Sequence, residues 1–202
     1  IYSIKKFNFD YFSLDGSSQL IAKTGYSRIG GFEIYLSRPE LGKHLWESIL
    51  EAGRSENIRP GSPNIIDRVE AGLLSYGNEM TVENTPLECN MDKFVDINKE
   101  IDYIGKKVLL RQTKYGVKRR IRGAIYEGAK LPTISTPLQV FDTDKRTIVG
   151  SLTSGAFSPH FKSNIGLGMI GYGCWDNNKE IFVKISDQEF RKGLIKDLPL
   201  IQ

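Results

Sequence analysis

The sequence predicts an α+β protein in which a mixed helix-and-strand region precedes a small antiparallel β-barrel. Two observations support this expectation. Residues 37–116 contain segments that repeat apolar residues at helical spacing, whereas from Val117 onward short apolar runs alternate with turn residues. We therefore expect an α+β domain over residues 1–90, a connecting segment with a helix over residues 91–116, and a barrel over residues 117–202.

The first 36 residues predict a β-hairpin followed by a further short strand. Aromatic strand formers precede the turn-forming pair Asp15-Gly16, and apolar residues of a return strand follow it. Further along, Glu33 and Tyr35 alternate with apolar residues. Because side chains alternate along a strand, both residues should lie on one face of it.

Capping signals place three helices at residues 37–53, 62–77 and about 102–115. The first begins with a capping box at Ser37, and Gly53 is expected to end it in a left-handed conformation. The second is expected to start at Ser62-Pro63 and to run to Gly77. For the third, Gly116 is the expected stop signal.

The barrel region should contain strands that are short apolar runs bounded by turn residues. In chain order, these runs are Ile121–Tyr126, Leu138–Phe141, Ile148–Thr153, Ile165–Ile170 and Ile181–Ile185. Gly166-Leu167-Gly168 lies in one of them and lacks the following glycine and helix start of a dinucleotide-binding loop. We interpret it as part of a strand.

The composition argues against several functional classes. A net charge of +4 is mild and lacks the strong, clustered excess of a nucleic-acid-binding protein. The apolar runs are far shorter than a membrane span, so no membrane partner is expected. Cys89 and Cys174 lack metal-ligand spacing, which predicts free thiols, no metal site and a reducing, cytoplasmic location. The start at Ile1, directly in a β-like segment, predicts a fragment or processed product.

Glu33 is the carboxylate best placed for ligand binding. It follows the pair Gly30-Gly31, and glycines allow a ligand or another backbone to approach closely. A carboxylate there can accept two parallel N–H bonds from an aminopyrimidine edge, with Tyr26 and Tyr35 supplying ring contacts. The alternative, which is more common for a charged residue, is a solvated strand glutamate beside a bend.

Other charged residues allow two interpretations each. Arg68 and Glu70 can bind an anionic tail, or they can pair with each other, which is the more common case. The basic run Lys118-Arg119-Arg120 with Arg122 can attract an anionic substrate. Such a run is more often a solvated strand edge that discourages aggregation.

Seven motifs in order resemble the aminomethyltransferase family, whose founding member is the glycine cleavage T-protein. In chain order they are Thr24–Ser27 with Gly30–Ile34, Arg68–Leu73 with Tyr76–Asn78, Thr85–Glu88, Asp102–Lys106, Gly150 with Thr153–Gly155 and Ser158–Pro159, Ile165–Gly168, and Leu198–Leu200. Each motif alone is weak, but their order and spacing over residues 7–200 are specific.

The resemblance implies a ferredoxin-like α+β folate-binding domain followed by a small antiparallel C-terminal β-barrel. It implies tetrahydrofolate as the cofactor and a small-molecule methyl or aminomethyl donor as the partner, and it is compatible with a homodimer. Glu33 would hold the pterin with Tyr26 and Tyr35 nearby, and Arg68 would be a further cofactor-binding residue. Catalytic residues are expected in the family's first domain, which this sequence lacks, so the chain alone is predicted to be inactive.

Within the family, the segments Gly30–Tyr35 and Gly61–Arg68 resemble the dimethylsulfoniopropionate demethylases more closely. Asn64 stands where the T-protein carries a folate-contacting arginine, whereas Tyr26 is T-protein-like because the demethylases have tryptophan there. The resemblance therefore implies methyl transfer from a sulfonium donor to tetrahydrofolate. Alternatives are T-protein activity, demethylation of methylated amines, a non-enzymatic folate-binding module, and the tail of a flavin-dependent amine dehydrogenase.

Overall fold

The computed structural model describes residues 1–14, 16–25, 30–61 and 64–201. The chain divides into two compact units, Ile1–Asn64 and Ile65–Gln202. Across the described residues, no helix has both the length and the apolar character needed to span a membrane. The predicted α+β class and the closed antiparallel C-terminal barrel are confirmed.

The first unit contains a three-stranded antiparallel sheet. Its strands β1 (Phe9–Leu14), β2 (Ser17–Ala22) and β3 (Glu33–Tyr35) lie in the order β1-β2-β3. The predicted hairpin and short strand are therefore present, although Asp15 of the expected turn lies outside the described residues. Among the described residues, no helix separates these three strands, whereas a ferredoxin-like fold has the order βαββαβ.

Helix α1 (Gly42–Ala52) follows a single 3-10 turn at Pro39–Leu41. The capping box expected at Ser37 is wrong, because no side-chain cap bond occurs at the start of the turn or of the helix. The left-handed stop expected at Gly53 is also wrong. Gly53 has a φ of −91° and its N–H donates to the Ile49 carbonyl, so the chain continues into another 3-10 turn. The left-handed residue is Asn57, with a φ of 57°.

The second unit contains six antiparallel strands closed in the order β4-β7-β6-β5-β8-β9. Their bounds are β4 (Arg119–Tyr126), β5 (Leu138–Phe141), β6 (Ile148–Ser158), β7 (Ser163–Gly171), β8 (Glu180–Lys184) and β9 (Phe190–Lys196). All five predicted strands are present. The apolar pattern does not predict β9, because its buried residues include Arg191 and Gly193 beside Ile195.

The barrel interior is a compact apolar cluster. Its buried members are Ala124, Tyr126, Val140, Leu152, Ile170, Cys174, Ile181, Val183 and Ile195. Strands β6 and β7 approach closely at Gly168, where a Cβ atom would overlap the backbone of Ser151 and Leu152. The glycines in β7 therefore serve strand packing, which confirms the interpretation of this segment as a strand.

Helix α2 (Ile65–Glu70) packs on the outside of β6 and β7. Val69 is fully buried there against Ile165 and Leu167. Ile165 and Leu167 alternate along β7 with residues that face the barrel interior, so this strand is covered on both faces. This packing places residues from Ile65 onward in the same compact unit as the barrel. The domain limits at residues 90 and 116 stay a prediction, because compactness alone does not define them.

The helices of the second unit are shorter than expected. Helix α2 does not reach Gly77, because the chain turns at Gly72, which has a φ of 65°. Its expected start at Ser62-Pro63 lies outside the described residues. Helix α3 (Lys106–Tyr115) ends immediately before Gly116, as predicted, but begins later than residue 102.

We expect Tyr126 to make folding sensitive to alkaline pH. Burial raises the pKa of Tyr126 to about 12, and Arg191 acts in the opposite direction. Because the folded-state pKa lies above the ordinary value, this stabilisation is complete below about pH 10 and is lost as the pH rises through about 12. Two pKa units correspond to about 3 kcal/mol.

Urea denaturation at pH values between about 9 and 12 measures this effect. The steep loss of unfolding free energy should be smaller in Tyr126→Phe than in the wild type. Tyr172→Phe is the matched control, because Tyr172 is 79% exposed and should retain the wild-type pH profile. Identical profiles for the wild type and Tyr126→Phe would contradict this assignment.

Candidate functional site

Glu33 lies at the start of β3 with its side chain exposed. Its Oε2 accepts hydrogen bonds from the hydroxyl of Thr24 and, at 3.4 Å, from the hydroxyl of Tyr35. Tyr35 is itself 54% exposed. The two hydroxyl groups orient the carboxylate without neutralising it, so Glu33 presents a charged acceptor on the surface of the sheet.

Two further aromatic residues share this face of the sheet. Across the three strands, the paired rows are Phe9–Ala22–Glu33 and Tyr11–Leu20–Tyr35. Directly paired residues of antiparallel strands point to the same side. Phe9 and Tyr11 are 62% and 63% exposed. The face, which we call the aromatic sheet face, thus combines one carboxylate with three accessible rings.

The dimensions of the aromatic sheet face suit a flat ligand. Neighbouring strands lie about 4.8 Å apart, so the backbones of Phe9 and Glu33 are separated by about 10 Å. Between them lies Ala22, whose small side chain is buried. The carboxylate can accept adjacent N–H donors while the rings contact the faces of a heterocycle. Sequence reasoning did not select Phe9 and Tyr11, although their period-2 spacing was a signal for a shared face.

The glycine pair before Glu33 is required by backbone conformation. Gly30 and Gly31 have φ values of 102° and 123°, which residues with side chains rarely adopt. A Cβ atom at either position would meet nothing within 4 Å among the described residues. The expected close approach of another backbone is therefore not what requires glycine here. Tyr26, the other predicted ring contact, lies outside the described residues.

Arg68 is buried in the second unit and forms an ion pair with Glu79. Its Nη1 donates to Glu79 Oε2 at 2.9 Å and to the Leu73 carbonyl at 2.8 Å, and its Nη2 donates to Glu79 Oε1 at 3.4 Å. The side chains of Arg68 and Glu79 are 8% and 0% exposed. The expected pairing of Arg68 with Glu70 is therefore wrong, because Arg68 pairs with Glu79 instead. The guanidinium is engaged in holding the chain that follows α2.

Glu70 and Glu79 each connect the segment around α2 to the barrel. Glu70 Oε1 accepts a hydrogen bond of 2.5 Å from the hydroxyl of Ser158 in β6. Glu79 accepts bonds from the backbone N–H of Ser75 at 2.7 Å and from the hydroxyl of Thr153 at 3.5 Å. Buried charges are tolerated only when they are paired in this way.

The basic run belongs to an interior strand of the closed barrel. Strand β4 pairs with β7 over Arg119–Tyr126 but with β9 only over Gly123–Tyr126. Beside the basic run, the N–H of Ile121 donates to the Glu88 carbonyl at 2.8 Å, so the interpretation as an open, solvated strand edge is wrong. Arg119 Nε lies 3.1 Å from Glu88 Oε1, and Arg122 Nη1 lies 3.3 Å from Asp197 Oδ1. These arginines are partly committed to ion pairs within the second unit.

Two family models match the chain along most of its length. The GCVT N-terminal domain matches residues 2–99, and the glycine cleavage T-protein C-terminal barrel domain matches residues 119–199. The chain belongs to the glycine cleavage T-protein family. The second match coincides with the closed barrel of β4 to β9, and the aromatic sheet face lies within the first.

The curated relatives that match this chain carry two different enzyme names. The dimethylsulfoniopropionate demethylase DmdA of Ruegeria pomeroyi is 41% identical over 175 residues, which cover 87% of this chain and 47% of the relative. An aminomethyltransferase of Natranaerobius thermophilus is 36% identical over 197 residues, which cover 96% of this chain and 52% of the relative. The chain thus spans about half the length of the relatives that it matches.

A solved structure gives the same fold. The glycine cleavage system aminomethyltransferase T from Bartonella henselae matches with a TM-score of 0.76 over 91% of this chain and 50% of that protein. The sequence identity is 24%. At this identity the likeness supports the T-protein fold, and the assignment of individual residues depends on the geometry described above.

We expect loss of the Arg68–Glu79 ion pair to destabilise the second unit strongly. Glu79→Gln leaves the buried guanidinium without a charged partner, which should lower the free energy of unfolding by about 3–5 kcal/mol. Glu180→Gln is the control, since Glu180 pairs with Lys192 at 2.6 Å where both side chains are at least 40% exposed. Its cost should be below about 1 kcal/mol. Similar losses in denaturant titrations of both variants would contradict the special role of the buried pair.

Proposed function

We propose that this chain is the folate-binding and C-terminal part of a tetrahydrofolate-dependent methyl- or aminomethyltransferase. The observation that supports this most directly is the Glu33 carboxylate on the aromatic sheet face. An aminopyrimidine edge offers two adjacent N–H donors, and an ionised carboxylate accepts both. The rings of Phe9, Tyr11 and Tyr35 provide apolar contact for a fused ring system.

Each proposed residue has a defined task. Glu33 would hold the aminopyrimidine edge, Tyr35 would orient Glu33 and contact the pterin, and Tyr26 would supply a further ring contact. Arg68, the further cofactor-binding residue that the resemblance implies, has a task within the second unit, where its terminal nitrogens hold Glu79 and the Leu73 carbonyl. When bound, tetrahydrofolate supplies the ring nitrogen that takes the one-carbon unit.

We propose a sulfonium compound such as dimethylsulfoniopropionate as the donor. The 41% identity to a demethylase of that name favours it. In this transfer the bond between sulfur and the methyl carbon breaks, a neutral thioether leaves, and the folate nitrogen gains the methyl group and loses a proton. Because a sulfonium methyl is already activated, the protein mainly needs to align the reactants and exclude water.

A second candidate is aminomethyl transfer, as in the T-protein of the glycine cleavage system. A relative named aminomethyltransferase matches over 96% of the chain, which favours this activity. Demethylation of methylated amines, folate binding without catalysis and the tail of a flavin-dependent amine dehydrogenase are the other three alternatives. We propose that the 202 residues alone do not catalyse transfer, because the relatives that match are about twice as long. We further propose that the full-length protein acts in the cytoplasm.

We expect Glu33→Gln to weaken tetrahydrofolate binding to the full-length protein. Loss of one charge-assisted hydrogen bond costs about 1.5–3 kcal/mol, so the dissociation constant should rise at least about tenfold in calorimetric titrations. Glu47→Gln is the matched control, since Glu47 is an exposed glutamate of the same unit on α1. An unchanged affinity in Glu33→Gln, with full binding by the wild type, would refute the proposed role of Glu33.

Donor specificity is tested separately on the full-length protein. Dimethylsulfoniopropionate, methylated amines and an aminomethyl donor would each be supplied with tetrahydrofolate, and the modified folate would be identified by mass spectrometry. Methyl transfer from the sulfonium compound alone is the expected result. Transfer only from the aminomethyl donor would establish T-protein activity instead, and folate binding without any transfer would favour a binding module. The 202-residue chain, assayed alongside, should show no turnover.

A further inference from the structure

Two arginines of β4 point towards the interior of the barrel at one of its ends. Arg120 and Arg122 have the same orientation as Ala124 and Tyr126, which belong to the interior apolar cluster. The side chain of Arg122 is only 13% exposed. Charged groups in such a position require partners, because burial without them is costly. The partners of these two arginines differ.

Arg122 uses its Nε and Nη1 for neighbouring groups. Its Nε donates to the backbone carbonyl of Trp175 at 2.7 Å, and its Nη1 lies 3.3 Å from Asp197 Oδ1. Trp175 in turn packs against the interior cluster of the barrel. The side chain of Arg122 therefore fixes the position of Trp175 at this end of the barrel.

Arg120 lies against the indole of Trp175. The centre of its guanidinium is 5.5 Å from the centroid of the Trp175 ring, within the range of a cation–π contact. Tyr172, which is 79% exposed, meets the same ring edge-on with centroids 5.2 Å apart. We call the group formed by Arg120, Arg122, Tyr172 and Trp175 the barrel-end cluster. It combines two guanidinium groups with an aromatic wall.

One N–H group of Arg120 has no hydrogen-bond acceptor within the barrel-end cluster. Its Nε is buried and has no acceptor among the described residues. Buried N–H groups of proteins are nearly always paired, so an unpaired one calls for a partner. The two guanidinium groups also repel each other: the pKa of Arg122 is lowered mainly by burial, and Arg120 lowers it further while Asp197 raises it. An anion at the Arg120 guanidinium would offset this repulsion.

We propose that the barrel-end cluster binds the carboxylate or phosphate group of a small molecule, with Arg120 as its principal donor. A guanidinium presents its N–H groups in a planar fork that matches the oxygens of either anion. Trp175 holds that fork in a fixed orientation, and Tyr172 provides a surface for the rest of the ligand. The cluster belongs to the second unit, whereas Glu33 belongs to the first. None of its residues belongs to the aromatic sheet face.

Trp175 provides a direct signal for the test. Trp46→Phe removes the other tryptophan, so that the emission of the protein comes from Trp175 alone. This variant would be titrated with sodium phosphate and, separately, with sodium glutarate at constant ionic strength. We expect a saturable change in emission with at least one of them, and the response to each anion decides between a phosphate and a carboxylate ligand.

The decisive comparison uses two variants that each remove one positive charge. Arg120→Gln should raise the apparent dissociation constant at least about tenfold. Arg111→Gln, on the exposed surface of α3, should change it less than about twofold. Phosphate also stabilises proteins in general, and this effect should be the same in the Arg120→Gln and Arg111→Gln variants. If Arg120→Gln does not fold, Arg120→Lys replaces it in the comparison. Arg120→Lys keeps the charge without the planar fork, so its affinity should be intermediate.

Three results would overturn the proposal. One is the absence of a saturable response to either anion. A second is an equal loss of affinity in Arg120→Gln and Arg111→Gln, which would indicate attraction by net charge only. The third is wild-type affinity in a folded Arg120→Gln or Arg120→Lys variant. Each result leaves the folate affinity of the Glu33 variants unaffected, so the two proposals fail independently.

Discussion

The contact between α2 and the barrel constrains much of the second unit. Val69 is buried against Ile165 and Leu167, so the neighbouring residues of a six-residue helix are carried into the interface as well. Two of those neighbours, Arg68 and Glu70, are charged and buried. The apolar contact can form only if both charges find partners, because unpaired buried charges would cost more than the contact contributes. Glu79 and Ser158 provide those partners, and they fix the following loop and the end of β6.

The sequence predicts strands well where burial and apolar character coincide. Five barrel strands contain short apolar runs because the barrel has a full interior and is covered by α2 on part of its outside. Strand β9 is different, since Arg191 and Gly193 occupy buried positions and Lys192 lies between them. Arg191 is tolerated because its Nη1 donates to the Ala129 carbonyl and its Nε to Glu189. That pairing depends on tertiary structure, which no local pattern contains.

Helix ends and the candidate site show the same limit. Gly72 ends α2 although apolar residues continue at helical spacing beyond it, because the backbone there adopts a left-handed conformation. The position of Glu33 on a strand with Tyr35 was predictable from alternation alone. Its association with Phe9 and Tyr11 was not, because it depends on the register of three strands. Likewise, the partner of Arg68 is eleven residues away and becomes identifiable only once the loop is folded.

The exposure of Glu33 determines how such a site can work. A hydrogen bond to an exposed carboxylate contributes little, because water competes for the same oxygens and the surrounding dielectric constant is high. A flat ligand changes that environment, since its own rings cover the carboxylate when they pack against the neighbouring aromatic residues. The bond to Glu33 then strengthens as water is displaced, and the apolar contacts gain from a fixed ligand orientation. Affinity on the aromatic sheet face should therefore be non-additive: Glu33 matters most when the rings are present, and a double-mutant cycle between Glu33 and Phe9 would measure that coupling.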